Sequence, residues 1–367
     1  MPLYMDRHDV SSTVTAENVA ELHHQDLKIQ HLYNCRGLTY WFDKKRSTAF
    51  CLVDAPDIQS IQEMHAKAHG EVPNQIIEVE ASIVESFLGR IEDPEKSQNT
   101  ELNIINDPAF RTIMVAAIEH FSLKDLVAKK TDTANNNYSK LLIEITNKYQ
   151  GRLVKQKDSY FLLSFDSVTN AVLCALEIQR FFNENNKRNS PLNVKIGLSA
   201  GAPVNEKEGF FEDIIQMAER LSAIVKGQVA ISSEVKDLYE SENMNISLCK
   251  SQITSLSLND EKFLNLLMDY IEKEWSNPAL DAGHFSKCLG YSKSQLYRKM
   301  ISITGKAPNN FIKQYRLNKA LILLNKKNEN ISGIAYKTGF NSPAYFSKCF
   351  QETYGVLPSF YIKSYCL

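Results

Sequence analysis

The sequence lacks any long apolar run, and none approaches the roughly 18 consecutive apolar residues that a membrane-spanning helix requires. Its first ten residues, MPLYMDRHDV, also lack the apolar core of a signal peptide. Glycine and proline are scarce, at 14 and 11 of 367 residues, which excludes collagen-like and low-complexity chains. We therefore expect a folded cytoplasmic protein that does not associate with a membrane.

Closely spaced cysteine pairs are lacking as well. The seven cysteines are an odd number and lie far apart in the sequence, at positions 35, 51, 174, 249, 288, 349 and 366. This pattern predicts neither a disulfide framework nor a zinc ribbon, so we expect reduced thiols.

Charge is unevenly distributed over a chain that is too long for one ordinary core. Because single cores stop growing at roughly 250 residues, 367 residues predict two or three domains. The net charge is −1, yet residues 262–367 hold 15 Lys and Arg against 6 Asp and Glu. A basic module on an acidic remainder is typical of nucleic-acid binders, because clustered cations bind phosphates.

Changes of pattern divide the chain into three folded parts. Residues 1–80 follow the order βαββαβ, which predicts an α+β ferredoxin-like domain, and a polar stretch at 92–108 predicts a linker. The next region again mixes strands and helices, and after a softer break at 251–260 the periodicity is helical. The predicted boundaries are 1–82 for the ferredoxin-like domain, 83–108 for the linker, 109–250 for a second α+β domain and 262–367 for an all-α domain.

The basic tail contains an internal repeat, in which residues 288–308 align with residues 337–358. Each copy predicts a short helix, a glycine-aromatic turn, a serine N-cap (Ser292 or Ser342), a helix of about three turns and a closing glycine. Between the copies, 308–326 predicts an amphipathic helix roughly 28 Å long, which suits two reading helices about one DNA turn apart. The pattern is that of a double helix-turn-helix.

The stretches QLYRKM, FIKQYRL and ISGIAYKTGFNSPAYFSKCFQETYG resemble the DNA-binding domain of the AraC/XylS family of transcription regulators. The resemblance implies that Leu296 and Phe346 point into the core, and that a double-stranded operator is contacted by Lys293, Ser294, Tyr297, Arg298, Pro343, Ala344, Ser347 and Lys348. Among these only Arg298 is a good base-reading donor, whereas Lys348 should contact phosphate. The residues alone also fit a helical bundle with solvated lysines.

Histidines are concentrated near the start of the chain, since six of the eight fall within the first 69 residues. His65 and His69 form an i, i+4 pair on the second predicted helix, a spacing that lets them share one ion. The core-facing stripe of the first helix contains His23 and Asp26. Because buried polar groups must pair or bind a metal, the pattern fits either a hydrogen-bonded polar core or a metal site.

The stretches MDRHDV, LTYWFD, FCLVDAPD and HAKAHG resemble a small family of ferredoxin-like, nickel-binding proteins of otherwise unknown function. Carried over by position, the predicted ligands are His8, His23, His65 and His69, with Asp6, Cys51 and Glu78 as weaker candidates. His24 and His31 fall off the helical stripe, and burial alone also explains Cys51. Imidazole-rich sites suit nickel, zinc or copper, and the resemblance favours nickel.

The middle region, including RLVKQKDSYFLLSF and IGLSAGAPVNEKEGFFEDIIQMAERL, resembles the class III nucleotide cyclase homology domain. That chemistry requires two carboxylates that hold two metal ions, and by position they fall at Ala117 and Ser159. Asp158 is a neighbour in a predicted strand and should point to the opposite face. We therefore expect an inactive homologue for dimerisation or ligand sensing. Its candidate residues for a small anionic ligand are Lys155, Gln216 and Arg220, although a solvated surface role fits Lys155 and Arg220 equally well.

The whole sequence thus predicts a homodimeric, non-enzymatic transcription regulator in which metal binding at the first domain controls DNA binding by the tail. Two alternatives stay open at this point. One is an active or residual nucleotide cyclase, and the other is a metal-handling protein whose DNA binding is secondary.

Overall fold

The computed structural model describes residues 1–94, 102–120, 132–186, 192–205, 209–244, 251–326 and 329–365. A four-stranded sheet is followed by a six-stranded sheet and then by helices. This confirms the predicted multidomain chain, with α+β regions and an all-helical C-terminal part. No helix among the described residues is long and apolar enough to cross a membrane.

The N-terminal domain is an antiparallel sheet with two helices packed on one face. Its elements are β1 (Leu3–Asp9), α1 (Ala16–Ile29), β2 (Arg36–Asp43), β3 (Thr48–Asp54), α2 (Ile58–Ala68) and β4 (Gln75–Val79). Thr15 and Asp57 cap the two helices by accepting backbone N–H groups of Asn18 and Ser60. The strand order β2-β3-β1-β4 is ferredoxin-like, as predicted.

The segment predicted as a linker is packed against the domains over most of its described length. Helix α3 (Ala81–Leu88) begins directly after β4 and buries Phe87 and Leu88. Further along, Ile105 is buried, and the backbone carbonyl of Asn103 accepts a hydrogen bond from the Tyr40 hydroxyl at 2.9 Å. Residues 95–101 lie outside the described residues. Parts of the segment predicted as a linker at 83–108 thus carry packed structure, and the linker boundaries stay a prediction.

The middle domain contains the six-stranded sheet, in the order β10-β9-β8-β5-β7-β6. Its elements are β5 (Arg111–His120), α4 (Asp132–Lys148), β6 (Arg152–Lys157), β7 (Tyr160–Phe165), α5 (Val168–Asn186), β8 (Leu192–Gly201), α6 (Glu212–Ile224), β9 (Val229–Ile231), α7 (Ser233–Glu242) and β10 (Ile253–Ser255). Helices α4, α5 and α7 pack on one face. Strands β5 to β8 repeat the connectivity and neighbour order of the N-terminal sheet, so the chain contains this topology twice.

The other face of the six-stranded sheet packs against the open face of the N-terminal sheet. The shared core includes the fully buried Met5 and Trp41 from the first sheet and Ile113 and Val115 from the second. The two α+β domains thus pair with each other within one chain, and the homodimer stays a prediction.

The C-terminal region is helical and begins earlier than predicted. Strand β10 occupies part of the expected break at 251–260, because Ile253 extends the middle sheet by pairing with Val229. The helices are α8 (Leu258–Glu274), α9 (Ala282–Cys288), α10 (Lys293–Thr304), α11 (Pro308–Asn325), α12 (Ile331–Lys337), α13 (Pro343–Tyr354) and α14 (Pro358–Tyr365). Helix α11 is the predicted connecting helix between the two repeats.

Candidate metal cluster and DNA-reading helices

Each repeat of the tail places one helix, α10 or α13, after a tight turn. The Ser292 side chain accepts the N–H of Gln295, and the Ser342 side chain accepts the N–H of Tyr345. Both helices end at a glycine in the left-handed region, with φ of 71° at Gly305 and 78° at Gly355. The predicted caps and closing glycines are therefore present in both repeats.

The two helices turn one side to the core and the opposite side to solvent. Leu296 and Phe346 are fully buried, as predicted. The exposed predicted contacts are Lys293, Ser294, Tyr297, Arg298, Ala344 and Lys348, and the half-buried ones are Pro343 and Ser347. Tyr345, which was not among the predicted contacts, is also exposed on α13, at 55%.

The exposed cations on these helices are not neutralised by acidic neighbours. Within the described part of the chain, Lys293, Arg298 and Lys348 form no ion pair, and Arg298 Nε donates only to the Ser294 carbonyl of its own helix at 3.4 Å. Their charges are therefore available to a polyanion such as DNA.

A cluster of six donor side chains lies between the N-terminal sheet and its helices. Two groups have their ligand atoms within 4.8 Å of one another: Asp6, His8 and Cys51, and Asp26, His65 and His69. The groups meet at His65, whose Nε2 is 3.0 Å from Asp6 Oδ2 and whose Nδ1 is 3.2 Å from Asp26 Oδ1. His69 Nε2 lies 3.2 Å from the same Asp26 oxygen.

Secondary structure explains why these side chains meet. Period-2 alternation on β1 turns Asp6 and His8 to the helix-covered face, and Cys51 is the register partner of Asp6 on β3. The i, i+4 spacing on α2 brings His65 and His69 to one side, with their ring nitrogens 3.3 Å apart. The predicted pairing of these positions is seen in the structure.

The donor set fits a transition-metal ion. It combines three imidazoles, two carboxylates and a thiol, all of them ligand types that such ions bind. Asp26 Oδ1 is buried and has no well-oriented hydrogen-bond donor among the described residues, although two imidazole nitrogens lie within 3.2 Å. A lone pair that no donor uses is free to bind a cation.

Burial and charge together set the protonation of the cluster. Burial favours the neutral form of Asp6, but His8 and His65 outweigh it and lower the pKa of this carboxyl. Burial lowers the pKa of His65, whereas the Asp26 and Asp6 carboxylates outweigh that effect and raise it to about 10. Burial and the Asp6 carboxylate raise the pKa of the Cys51 thiol. A protonated His65 therefore compensates the two buried carboxylates without an ion.

Two of the predicted ligands lie outside this cluster. His23 is buried, but its Nε2 lies 3.4 Å from Asp93 Oδ2 and its ring packs on Tyr40. Glu78 is exposed on the edge strand β4, opposite Tyr4 in the register. The residue missed as a ligand is Asp26, although its place on the stripe of α1 was a usable signal. His24 and His31 are exposed, as their position off the stripe predicted.

A cavity of about 520 Å³ adjoins the cluster. Apolar side chains such as Val14 and Leu22 line it together with polar ones such as Asn18 and Asn74. Five of the six donor side chains line it as well: His8, Asp26, Cys51, His65 and His69.

The middle domain lacks the carboxylates that cyclase chemistry requires at both predicted positions. Ala117 lies near the end of β5, and Ser159 lies in the turn between β6 and β7, where its carbonyl accepts the N–H of Ile118 at 2.9 Å. Asp158 lies in the same turn with φ of 51°, so our reason for dismissing it, a position on a strand, is wrong. Its side chain is exposed.

The three candidate residues for an anionic ligand lie on different parts of the middle domain. Lys155 is exposed on the edge strand β6, whereas α6, which carries the half-buried Gln216, packs mainly against β8. Arg220 is buried and contacts α8, with Nη1 2.6 Å from Asn265 Oδ1. Its solvated surface role is therefore wrong, because the guanidinium faces the C-terminal region.

Comparison with known protein families assigns both ends of the chain. Residues 4–79 match the family described as "Nickel responsive protein SCO4226-like". Residues 285–364 match a family described as a helix-turn-helix domain. The two resemblances read from the sequence at these ends are confirmed, whereas the cyclase resemblance of the middle region stays a prediction.

Individual relatives share parts of the chain. Histidine kinase P4 of Formosa agariphila is 41% identical over 31% of this chain and 8% of its own length. The HTH-type transcriptional activator RhaS of Mannheimia succiniciproducens is 41% identical over 17% of this chain and 24% of its own length. The crystal structure of SCO4226 from Streptomyces coelicolor has 27% identity and a TM-score of 0.20, covering 21% of this chain and 94% of that one. The chain thus spans less than a quarter of the length of either curated relative.

Proposed function

We propose that this chain is an AraC-type transcription regulator that binds double-stranded DNA through α10 and α13, under the control of a transition-metal ion in its N-terminal domain. The observation that carries the proposal is the duplicated, serine-capped helix with a buried core side and an exposed cationic side. The family matches at the two ends support the same reading.

DNA binding by this surface has a direct electrostatic test. Because each neutralised phosphate releases counterions, the affinity of the full-length chain for a duplex should fall steeply with salt, by roughly 0.9 log units per phosphate contact for each tenfold increase in salt. We expect Lys293→Glu and Lys348→Glu each to weaken binding and to flatten this salt dependence, as measured by fluorescence anisotropy.

The matched control is Lys155→Glu, which reverses an exposed lysine on the middle domain. It should leave the salt dependence unchanged. Equal losses in all three variants would mean that net charge alone drives association, and that α10 and α13 are not the DNA-reading helices.

The metal would be held by Asp6, His8, Cys51, Asp26, His65 and His69, with nickel favoured by the family match and zinc or copper suited to the same donors. A bound ion would supply positive charge next to the buried carboxylates of Asp6 and Asp26, and His65 would then be a neutral ligand instead of a cation. Strands β1 and β3 and helices α1 and α2 each contribute donors, so a bound ion would connect these four elements.

Nickel titration of the purified chain by calorimetry tests this site. His65→Ala removes the side chain that links both donor groups and should abolish tight nickel binding. The matched control is His24→Ala, one residue from His23 on α1 but exposed, which should bind nickel as the parent chain does. Equal nickel affinity in His65→Ala and His24→Ala would place the metal elsewhere. Competition with zinc and copper then ranks the metals.

We propose that the middle domain is an inactive cyclase homologue with a structural role. The support is that Ala117 and Ser159 offer no carboxylate, and that Arg220 is committed to contacts with α8. Incubation with ATP or GTP and manganese should yield no cyclic nucleotide, and a product that disappears in Arg220→Gln would contradict this. A homodimer of the whole chain would need surfaces other than the two paired sheet faces.

A further inference from the structure

Helix α6 contacts both halves of the molecule. At its N-terminal end, Phe211 and Ala218 belong to the core that joins the two sheets and contains Met5 and Trp41. Further along, Leu221 and the adjoining Val225 belong to the core formed with the C-terminal helices. A single helix of 13 residues is therefore packed against the N-terminal domain and against the first DNA-reading repeat.

Arg220 forms the polar part of the second contact. Its side chain is only 4% exposed, and its Nη1 donates to Asn265 Oδ1 at 2.6 Å. Its Nη2 contacts Asp269 Oδ1 at 2.5 Å and lies 3.8 Å from Glu272 Oε2. All three partners are on α8. A buried guanidinium is costly unless its partners are in place, so this contact favours one position of α8 against α6.

Backbone contacts extend the connection to α10. The N–H of Lys226, which follows α6, donates to the carbonyl of Ile303 at 2.8 Å. One turn earlier on α10, Lys299 Nζ lies 2.8 Å from Asp260 Oδ1 of α8. The first reading helix is thus attached both to the end of α6 and to the helix that Arg220 contacts.

We propose that Arg220 is a positioning residue through which α6 couples the N-terminal domain to the first DNA-reading helix. The inference rests on the proposed function and specifies its regulation. Changes at the metal cluster reach the sheet through β1, whose Asp6 faces the cluster and whose Met5 packs in the core shared with α6. Arg220 then passes a shift of α6 to α8 and α10, because packed helices move as rigid bodies.

The mechanical part of this proposal can be tested without metal or DNA. The chain has two tryptophans, Trp41 buried in the core between the sheets and Trp275 at the end of α8. The Trp275→Phe variant keeps Trp41, so its fluorescence follows the unfolding of the N-terminal half in urea. The Trp41→Phe variant keeps Trp275, so its fluorescence follows the unfolding of the C-terminal half. Each background is prepared with Arg220, with Arg220→Gln and with Arg220→Lys.

We expect the two reporters to unfold at one urea concentration when Arg220 is present. In Arg220→Gln, the urea midpoint reported by Trp275 should be lower than the midpoint reported by Trp41. Arg220→Lys keeps the charge and should show a smaller difference between the two midpoints. Coincident midpoints in Arg220→Gln, or separate midpoints already with Arg220, would overturn the proposed coupling.

The signalling part uses nickel chloride and a duplex enriched from a random-sequence library by the parent full-length chain. We expect nickel to change the duplex Kd of the parent by about 5-fold to 150-fold, the usual range of allosteric coupling. The ratio of the duplex Kd values measured with and without nickel is called the nickel ratio. In Arg220→Gln the nickel ratio should fall close to one while nickel affinity is retained. Arg316→Gln is the matched control, because Arg316 is an arginine that is half-buried where Arg220 is buried, and it contacts backbone carbonyls within the C-terminal region.

An unchanged nickel ratio in Arg220→Gln would overturn the signalling role of Arg220. If the nickel ratio falls equally in Arg316→Gln, the cause is a general loss of order in the C-terminal region. That result would also overturn the signalling role of Arg220. If nickel does not change the duplex Kd of the parent chain, the proposed metal control is wrong. The urea experiment then decides separately whether Arg220 connects the two halves.

Discussion

The two helix-turn-helix repeats share one sequence pattern but have cores of different composition. In the first repeat, Phe285 and Leu296 pack in a core that also contains Leu221 of α6 and Phe263 of α8. In the second repeat, Phe346 packs in a core formed with α11, α12 and α14. Among the described residues, the core of the first repeat thus includes side chains of the middle domain, whereas the core of the second repeat does not.

Helix α11 and Arg316 set the second repeat relative to the first. Arg316 lies on α11, and its Nε donates to the carbonyl of Trp275 at 2.9 Å while Nη2 donates to that of Asn277 at 2.6 Å. These bonds attach α11, which carries part of the core of the second repeat, to the end of α8. The following variants are chosen in matched pairs, one in each repeat.

The largest expected effects on stability and on hydrogen exchange come from substitutions in the cores of the two repeats. Leu296→Ala should lower the free energy of unfolding by about 2–5 kcal/mol and Phe346→Ala by about 3–5 kcal/mol, because each leaves a cavity. Leu296→Ala should reduce hydrogen-exchange protection in α6 and α8 as well as in α10, since that core is shared. Phe346→Ala should reduce protection only in the second repeat and in α11. Equal loss of protection in α6 in both variants would contradict the separation of the two cores.

The next difference concerns DNA. Arg298→Ala should cost about 1–3 kcal/mol of duplex affinity and relax preference at one base pair, because arginine reads guanine with two hydrogen bonds. Lys348→Ala should weaken all duplexes similarly and reduce the salt slope by about one. Affinities for a set of single-base-pair variants of the duplex, measured over a salt series, compare the two. Identical profiles would mean that the helices read DNA in the same way.

A smaller difference is expected at the turn glycines. Gly290 and Gly339 both have positive φ, of 70° and 76°. A Cβ at Gly290 would meet open space, whereas one at Gly339 would lie 2.9 Å from Arg316 Nε and 3.0 Å from the Ser276 carbonyl. Gly290→Ala should therefore cost about 1 kcal/mol of stability from backbone strain alone. Gly339→Ala should cost a further 1 kcal/mol or so from the clash. Equal urea midpoints would show that Arg316 moves aside freely.

The smallest difference is expected at the N-caps. Ser292→Ala and Ser342→Ala should each cost about 1 kcal/mol, since each removes the acceptor of a helical N–H. In the first repeat, the Gln295 side chain also accepts the N–H of Ser292 at 3.0 Å, which completes a capping box. Gln295→Ala should therefore lower the thermal midpoint slightly, whereas Tyr345→Ala at the equivalent position removes no such bond. A larger shift in Tyr345→Ala would contradict this assignment.

The comparison of repeats also shows which features were predictable from the sequence. Caps, closing glycines and the burial of Leu296 and Phe346 depend on residues within a few positions of each other, and the repeat doubled their signal. The βαββαβ order was predictable for the same reason. The predicted position of Asp158 on a strand was wrong because the two-residue turn between β6 and β7 gives no strong glycine or proline signal.

Features that depend on distant residues were not predictable in this way. The stripe of α1 indicated that Asp26 faces the core, but not that it meets His69, because that contact requires α1 and α2 to lie side by side. His23, one turn earlier, faces Asp93 from the segment after α3 instead. Arg220 was predicted to face solvent or an anion, but its partners are 45 and 49 residues further along the chain. No local pattern indicates such pairings.

The central claim, that occupancy of the N-terminal cluster controls DNA binding by the tail, is tested most directly by one thermodynamic cycle. Nickel affinity is measured by calorimetry on the full-length chain, free and saturated with the enriched duplex. The account predicts that the duplex changes nickel affinity by the same factor by which nickel changes duplex affinity, since coupling between two sites is reciprocal. Identical nickel affinities with and without the duplex would contradict it.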